Sequence, residues 1–230
     1  GFLRNFAENL RNNQHGELSI AAMPLISQKW LPKCIASFIG NHRKVSFSLP
    51  VRSSSWIAGA VASRRVDFGV GLKPEDAVSG IHVTPLMKLP LVCIMPSHHP
   101  LRELNVIDRK MMRGHSLISL HSFERQKLFI ESLTDSVQSG NMRRIETFSA
   151  NLACELVEQG VGIALIDALT AQDNLSEELI FRPFEPKLTM EICIMTPEHW
   201  PLSRVASDLI DVMIEQARET EEELGKLVRI

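Results

Sequence analysis

Short apolar segments and helical stripes alternate along the first third of the chain. The segments LSIAAM (18–23), VSFSL (45–49) and VDFGVG (66–71) are short and apolar, which predicts strands. Between the first two, apolar residues recur at helical spacing from Ile26 to Phe38. The segment SSSWIAGAVAS (53–63) opens with serines suited to capping and continues as a helix. Strands and helices in strict alternation, with short connections, predict a parallel sheet with right-handed crossovers.

A second unit of the same kind follows a long extended segment. IHVTPLMKLPLVCIMP (81–96) contains three prolines and no helical stripe, so we expect two or three extended pieces. The elements predicted beyond it are strands at 116–120, 142–148 and 162–167, helices at 125–134 and 149–160, extended segments at 179–184 and 188–196, and a helical stripe over 205–217. Two α/β units linked by two extended crossovers predict a hinged body of two lobes.

The stretch FSANLACELVEQGVGIALID (148–167) carries the most specific functional signal. Its helix begins at Ser149, where free backbone amides and a hydroxyl can hold a carboxylate or a phosphate. Asp167 ends the next strand and therefore belongs to the same rim of the sheet, where an acid can receive an ammonium or guanidinium. Asp167 has two other interpretations, since it can cap the helix at DALTAQ or pair with an arginine.

Composition bounds the function without defining it. The chain has 230 residues, 44% of them hydrophobic, and a formal net charge of −2, which is a poor electrostatic footprint for binding nucleic acid by itself. No apolar run approaches the roughly 20 residues of a membrane span. The four cysteines lie far apart in apolar segments, which is typical of reduced core residues in a cytoplasmic protein.

Candidate catalytic and metal-binding groups do not form a convincing set. His98 and His99 are adjacent in a turn, whereas two ligands on one helix face stand four residues apart. Cys154 lies in mid-helix among apolar residues, which favours a buried thiol over a nucleophile. There is no GxSxG motif and no phosphate-binding loop. We therefore expect no enzymatic activity, no cofactor and no metal.

Four segments resemble the effector-binding portion of LysR-type bacterial transcriptional regulators. They are GELSIAAMPLISQKWLPKCIASF, AVASRRVDFGVG, PLVCIMPSHHPL and ELVEQGVGIALID, and the likeness covers nearly all of residues 16–215. The segment FSANLACELV most resembles the branch that responds to opines such as octopine and nopaline. One departure is Arg65, which stands where many relatives have glycine and leaves the conformation of that turn open.

The resemblance implies an α/β, two-lobed periplasmic-binding-protein-like (type II) fold, in which each lobe is a mostly parallel sheet flanked by helices. Leu3, Phe6 and Leu10 share a helical face, which predicts an amphipathic helix over 2–13. By the resemblance, residues 1–15 would be the end of a linker helix; the other interpretation is a frayed terminal helix. The implied organisation is lobe I at 16–88 plus 192–222, lobe II at 89–191 and a C-terminal tail at 223–230. A DNA-binding winged helix-turn-helix would precede residue 1.

The family's pocket maps onto the rims of both lobes. The residues implied are Met23, Pro24, Ser53, Ser54, Ser55, Gly71, Pro96, Ser119, His121, Ser122, Phe148, Ser149, Asn151 and Asp167. Ser53 to Ser55 would supply hydroxyls and amides to a carboxylate, Gly71 would let the backbone approach the ligand closely, and Asp167 would receive a cationic group. Serines at helix starts are usually just caps, however, and Phe148 fits a core position as well as a stacking platform.

The resulting expectation is a cytoplasmic sensor domain that binds a small carboxylate or amino-acid-like effector in a cleft between its lobes. Candidate effectors are an opine or a basic amino acid. The family implies a homodimer, a tetramer at full length, and contact with DNA only through the preceding domain. The alternatives are a solute-binding receptor of a transporter and a two-lobed enzyme.

Overall fold

The computed structural model describes residues 17–40, 45–120 and 144–228. The chain divides into two compact units. Unit 1 comprises residues 1–87 and 191–220, and unit 2 comprises residues 88–190 and 221–230. The sequence-based lobe boundaries lie one residue further along the chain at 88/89 and 191/192, and two residues further at 222/223.

The first part of the chain alternates between strands and helices. Its elements are β1 (Glu17–Ala22), α1 (Pro24–Ser27), α2 (Trp30–Ile39), β2 (Ser46–Ser48), α3 (Ser54–Ala62), β3 (Phe68–Leu72) and β4 (Ile81–Pro96). Pro24 occupies the first turn of α1, where a missing amide hydrogen costs nothing. The helical stripe predicted from Ile26 to Phe38 is interrupted at Gln28 and Lys29, so it forms two helices rather than one.

The second part repeats the pattern. Its elements are a 3₁₀ turn (Pro100–Glu103), β5 (Ile107–Asp108), β6 (Leu117–Leu120), β7 (Arg144–Thr147), α4 (Ala150–Glu158), β8 (Ile163–Asp167), α5 (Ala168–Asp173), β9 (Leu179–Glu185), β10 (Thr189–Pro197) and α6 (Arg204–Leu227). The helix predicted at 125–134 and the start of the strand predicted at 142–148 lie outside the described residues, as does the predicted helix over 2–13.

In unit 1, β1 lies between β2 and β3 and runs parallel to both. Strand β10 is antiparallel to β3, with Ile192 opposite Leu72 and Met195 opposite Gly69. Helix α3 packs closely on β3 because Gly69 has no side chain: a Cβ there would lie 2.1 Å from Ile57 Cγ2. Ile57 is fully buried, so this glycine sets the distance between helix and strand.

In unit 2, β6 lies between β7 and β8 and runs parallel to both, while β4 pairs antiparallel with β8 and with β9. Strand β4 is one continuous strand and not the two or three pieces predicted from its prolines. The register shared with β8 and β9 covers residues 91–96, so Pro85 and Pro90 lie before it. Their fixed φ is compatible with extended backbone, and there they remove no donor from that register.

The predicted core cysteines are confirmed, since Cys34, Cys93, Cys154 and Cys193 are all buried and free. Burial raises the pKa of Cys34, Cys93 and Cys154 to about 12 and that of Cys193 to about 11. Such thiols stay protonated and unreactive at neutral pH. No helix in the described part of the chain combines the length and apolar character needed to cross a bilayer.

Candidate functional site

The carboxyl ends of the parallel strands of unit 1 meet at one edge of its sheet. Ala22 pairs with Val70, and the Met23 amide donates to the Val70 carbonyl at 3.0 Å. The Arg52 amide donates to the Ala22 carbonyl, also at 3.0 Å, which places Ser53 beside the end of β1. Met23, Ser53 and Gly71 therefore all lie at this edge of the sheet. Met23 is buried and Pro24 is exposed.

Three serines at this edge have three different environments. Ser53 caps α3, and its Oγ accepts a 3.4 Å hydrogen bond from the Trp56 amide. Ser55 is exposed, and its Oγ lies 3.2 Å from Ser53 Oγ. No acidic side chain occupies the first turn of α3. The helix therefore offers an anion two hydroxyls and uncompensated amides.

Ser54, in contrast, connects the first turn of α3 to β3. Its Oγ accepts a 2.9 Å hydrogen bond from the Leu72 amide at the end of β3. A Cβ on Gly71 would lie 2.9 Å from Ser54 Oγ, so glycine is what lets the serine reach this strand. The close approach expected at Gly71 is thus made by Ser54, a side chain of the chain itself.

The carboxyl ends of β6, β7 and β8 form the corresponding edge of unit 2. Leu120 pairs with Thr147, and Ile118 pairs with Ala164, so the strands end nearly level. Ser149 caps α4 here: its Oγ accepts a 3.3 Å hydrogen bond from the Leu152 amide. Its own amide donates to Thr147 Oγ1 at 3.1 Å. As in α3, the first turn of α4 contains no acidic residue.

Asp167 is fully buried at the end of β8 and caps α5, as one of its predicted interpretations had it. Its Oδ1 accepts a 2.7 Å hydrogen bond from the Thr170 amide. Its Oδ2 is buried and has no hydrogen-bond partner among the described residues. Desolvation raises the pKa of this carboxyl from 3.8 to about 6, against the opposing effect of the hydrogen bonds from Thr170.

A chain of hydrogen bonds connects the first turn of α4 to α5. Asn174 Nδ2 donates to Asn151 Oδ1 and to the Thr170 carbonyl, both at 2.8 Å. Burial is the main cause of the raised pKa of the Cys154 thiol in α4, and the nearby charge of Asp167 is the next. Ser149, Asn151 and Asp167 therefore belong to one cluster at this edge.

The other site residues predicted for unit 2 have different environments. Strand β4 runs antiparallel to β8 with Leu91 opposite Asp167, which puts Pro96 at the opposite edge of the sheet, where it is buried. Ser119 is buried within β6, and its hydroxyl donates to the Ile145 carbonyl at 3.4 Å. Phe148 is 75% exposed, which is unlike a core position. His121 and Ser122 lie outside the described residues.

The residues that sequence reasoning missed are Leu91, Thr170 and Asn174. Leu91 is buried beside Asp167, and only the antiparallel register of β4 and β8 reveals it. Thr170 and Asn174 hold Asp167 and Asn151 in place, respectively. The spacing of three residues from Asp167 to Thr170 is that of a helix cap, so the sequence contained a signal for Thr170.

The described residues contain no group of three side chains suited to hold a metal. The rings of His99 and His115 are 4.7 Å apart, and burial, the principal cause, lowers the pKa of both imidazoles. Uncharged, closely packed imidazoles of this kind are compatible with a structural role for the pair.

Comparison with known proteins identifies the family to which the chain is similar. A family model described as the LysR substrate binding domain matches residues 11–218. The transcriptional activator protein LysR of Escherichia coli (strain K12) is 30% identical over 197 residues, covering 86% of this chain and 63% of that protein. OccR, the octopine catabolism/uptake operon regulatory protein of Rhizobium meliloti, is 30% identical over 182 residues, covering 78% and 59%. The chain thus spans about three fifths of the length of these relatives.

Solved structures agree on the fold. The effector-binding domain of QuiR in complex with shikimate superposes with a TM-score of 0.72 at 17% identity, covering 89% of this chain and 98% of that one. This confirms the predicted α/β, periplasmic-binding-protein-like fold. The relatives LysR and OccR are named as a transcriptional activator and an operon regulatory protein, in agreement with the expectation that the domain is not an enzyme. The chain belongs to the family of LysR substrate-binding domains.

Proposed function

We propose that this domain is the effector sensor of a LysR-type transcriptional regulator and that it binds a small, amino-acid-like carboxylate. The observation that carries the proposal is the pair of helix starts at strand ends. Ser53 and Ser149 are the N-caps of α3 and α4, and neither helix has an acidic residue in its first turn. Such starts favour an anion through amide donors and the helix dipole.

The relatives support this choice of ligand class. OccR is named for octopine catabolism and uptake, and the QuiR domain is described in complex with shikimate, which is a small carboxylic acid. We extend this to the present chain as an opine or a basic amino acid. The names of the relatives favour a regulator over the receptor of a transporter.

The signalling role follows from linkage. An effector shifts the equilibrium between two states of the protein only as far as it prefers one of them. We propose that these states differ in the arrangement of the lobes or of the dimer, and that a DNA-binding domain elsewhere in the whole protein reads the difference. A cytoplasmic location, a homodimer and a full-length tetramer belong to the same proposal.

The test is a thermal-shift panel of octopine, L-arginine, L-lysine, shikimate and benzoate. A ligand present at a hundred times its dissociation constant stabilises the folded state by about 2.7 kcal/mol. We expect at least one acid to raise the melting temperature. L-argininamide, which lacks the carboxylate of arginine, should give a smaller shift than arginine if arginine binds.

Matched variants separate ligand contact from helix capping. Ser53→Ala and Ser149→Ala each remove a cap hydroxyl at a proposed site, and both should reduce the ligand-induced shift. Ser203→Ala removes the hydroxyl that accepts from the Ala206 amide at the start of α6. That helix follows β10, which runs antiparallel to β3, so it does not start at the edge where β3 ends. Ser203→Ala is therefore the control for loss of a helix cap alone. Equal ligand shifts in all three variants, or no shift with any acid, would contradict the proposal.

A further inference from the structure

Only one oxygen of the buried Asp167 carboxylate has a hydrogen-bond partner among the described residues. Oδ1 accepts from the Thr170 amide at 2.7 Å, whereas Oδ2 has no partner among the residues that the structure describes. A buried polar atom without a hydrogen bond is costly, and native proteins leave few of them. A helix cap needs only one oxygen, and a serine or asparagine would supply it without a negative charge. Capping therefore engages Oδ1 alone and leaves Oδ2 without a partner among the described residues.

The described charges around Asp167 do not neutralise it. Asp173 of α5 makes its ionisation less favourable, and Cys154 of α4 is itself held protonated by burial. No ion pair joins Asp167 to a lysine or arginine in the described ranges. Within the described part of the chain, its cluster with Ser149 and Asn151 therefore has amide donors at the start of α4 and an acceptor without a partner at Asp167 Oδ2.

Building on the proposed function, we propose that Oδ2 of Asp167 accepts a hydrogen bond from a cationic group of the effector, an ammonium or a guanidinium. The effector class is then an acid that also carries a cation, and simple carboxylic acids are excluded. Since Oδ1 is engaged by Thr170, the free Oδ2 suits a single N–H donor. A charge-assisted bond of this kind is stronger than a neutral one and supplies the missing partner.

Calorimetric titration of the chain with octopine, L-arginine and L-lysine tests this inference. Asp167→Asn keeps an oxygen for the Thr170 amide and removes the charge. We expect it to weaken binding of the cationic acids about tenfold or more. Citrulline replaces the guanidinium of arginine by a neutral ureido group, and argininic acid replaces the α-ammonium by a hydroxyl. One of these analogues should bind the wild type more weakly than arginine and should lose nothing further in Asp167→Asn.

Dependence on pH provides a readout that a structural role would not produce. Below about pH 6 the carboxyl is protonated, so the affinity of the wild type for arginine should fall while that of Asp167→Asn stays level. The remaining groups that face Asp167, among them Asp173 and Cys154, are the same in both proteins.

The outcomes distinguish the two proposals. Binding of the cationic acids that depends on Asp167 and weakens at low pH would support both. Binding of shikimate or benzoate, equally strong in Asp167→Asn, would overturn the cation assignment and leave the carboxylate sensor standing. Binding of arginine that is unchanged by Asp167→Asn would also overturn the assignment. If none of these acids bound, both proposals would be contradicted.

Discussion

The Thr170 amide donates a 2.7 Å hydrogen bond to Oδ1 of Asp167, and this contact fixes a fully buried carboxylate at the end of β8. The bond favours the charged form, but desolvation outweighs it, and the pKa of the carboxyl rises from 3.8 to about 6. The charge is therefore retained at neutral pH at a cost to stability. A residue that destabilises its own domain is a candidate for a role in binding.

The first prediction concerns pH and stability. Because the folded pKa lies above the ordinary value, the folded state binds this proton more tightly than the unfolded state does. The associated stability is complete below about pH 4, is lost as the pH rises to about 6, and does not change further above that. Relative to Asp167→Asn, the wild type should lose up to about 3 kcal/mol of unfolding free energy over this range.

Urea unfolding of both proteins at several pH values between 4 and 8 measures this difference. Subtracting the two curves cancels the titration of all groups that the proteins share. A difference that does not vary with pH would show that the carboxyl titrates normally.

The second prediction concerns the packing of α3 on β3. Gly69→Ala should destabilise the protein by about 1–3 kcal/mol, because the added methyl would overlap the buried Ile57 side chain. Gly59→Ala is the matched control in the exposed middle of α3, where nothing lies within 4 Å of an added Cβ. It should stabilise by about 0.5–1 kcal/mol through helix propensity. Changes in the denaturant midpoint that are negative for Gly69→Ala and positive for Gly59→Ala would support the close packing of α3 on β3. Equal changes in both variants would contradict it.

The third prediction concerns a buried hydrogen bond between α2 and α6. Trp30 Nε1 donates to Thr220 Oγ1 at 3.2 Å, and that hydroxyl donates to the Gln216 carbonyl at 2.7 Å. Thr220→Val keeps the shape but leaves the indole N–H without its acceptor, and should cost about 1–3 kcal/mol. Thr220→Ser retains the hydroxyl and should cost less. If the valine variant were as stable as the serine variant in urea, the bond would contribute nothing.

The fourth prediction concerns the thiols. All four cysteines are buried, and the pKa of each is raised to about 11 or 12. Iodoacetamide at pH 8 should therefore leave the native protein unmodified over a period that fully alkylates the protein in urea. Mass spectrometry counts the added groups. Rapid alkylation of Cys154 in the native state would reopen its interpretation as a reactive residue.

Periodicity predicted the alternating strands and helices because each element buries one face. The short apolar segments became β1, β3, β6 and β8, and the capping serines Ser53 and Ser149 begin helices. The prolines of β4 misled the prediction, since proline breaks hydrogen bonding and not extended geometry. The position of Pro96 relative to Asp167 was not predictable, because it depends on an antiparallel register that no local pattern encodes.

The same limit applies to the side chains of the candidate site. The sequence placed Asp167 at a strand end, but its burial, and the lack of a described hydrogen-bond partner for its Oδ2, depend on neighbours from α5 and β4. Gly71 was expected to admit a ligand, whereas the space beside it is filled by Ser54. Arg64 adopts a left-handed φ of 58° and its guanidinium stacks 3.7 Å from the Trp200 ring, a long-range contact that the local sequence did not indicate.

The central proposal is that backbone amides at the start of α3, of α4 or of both bind the carboxylate of an effector. Two-dimensional ¹H–¹⁵N spectra of the chain, titrated with the acid that gives the largest thermal shift, test it most directly. We expect saturable shifts in the amides of residues 54–57 and 150–153, with much smaller shifts in the first turn of α6. Saturable shifts confined to other parts of the chain would contradict the claim.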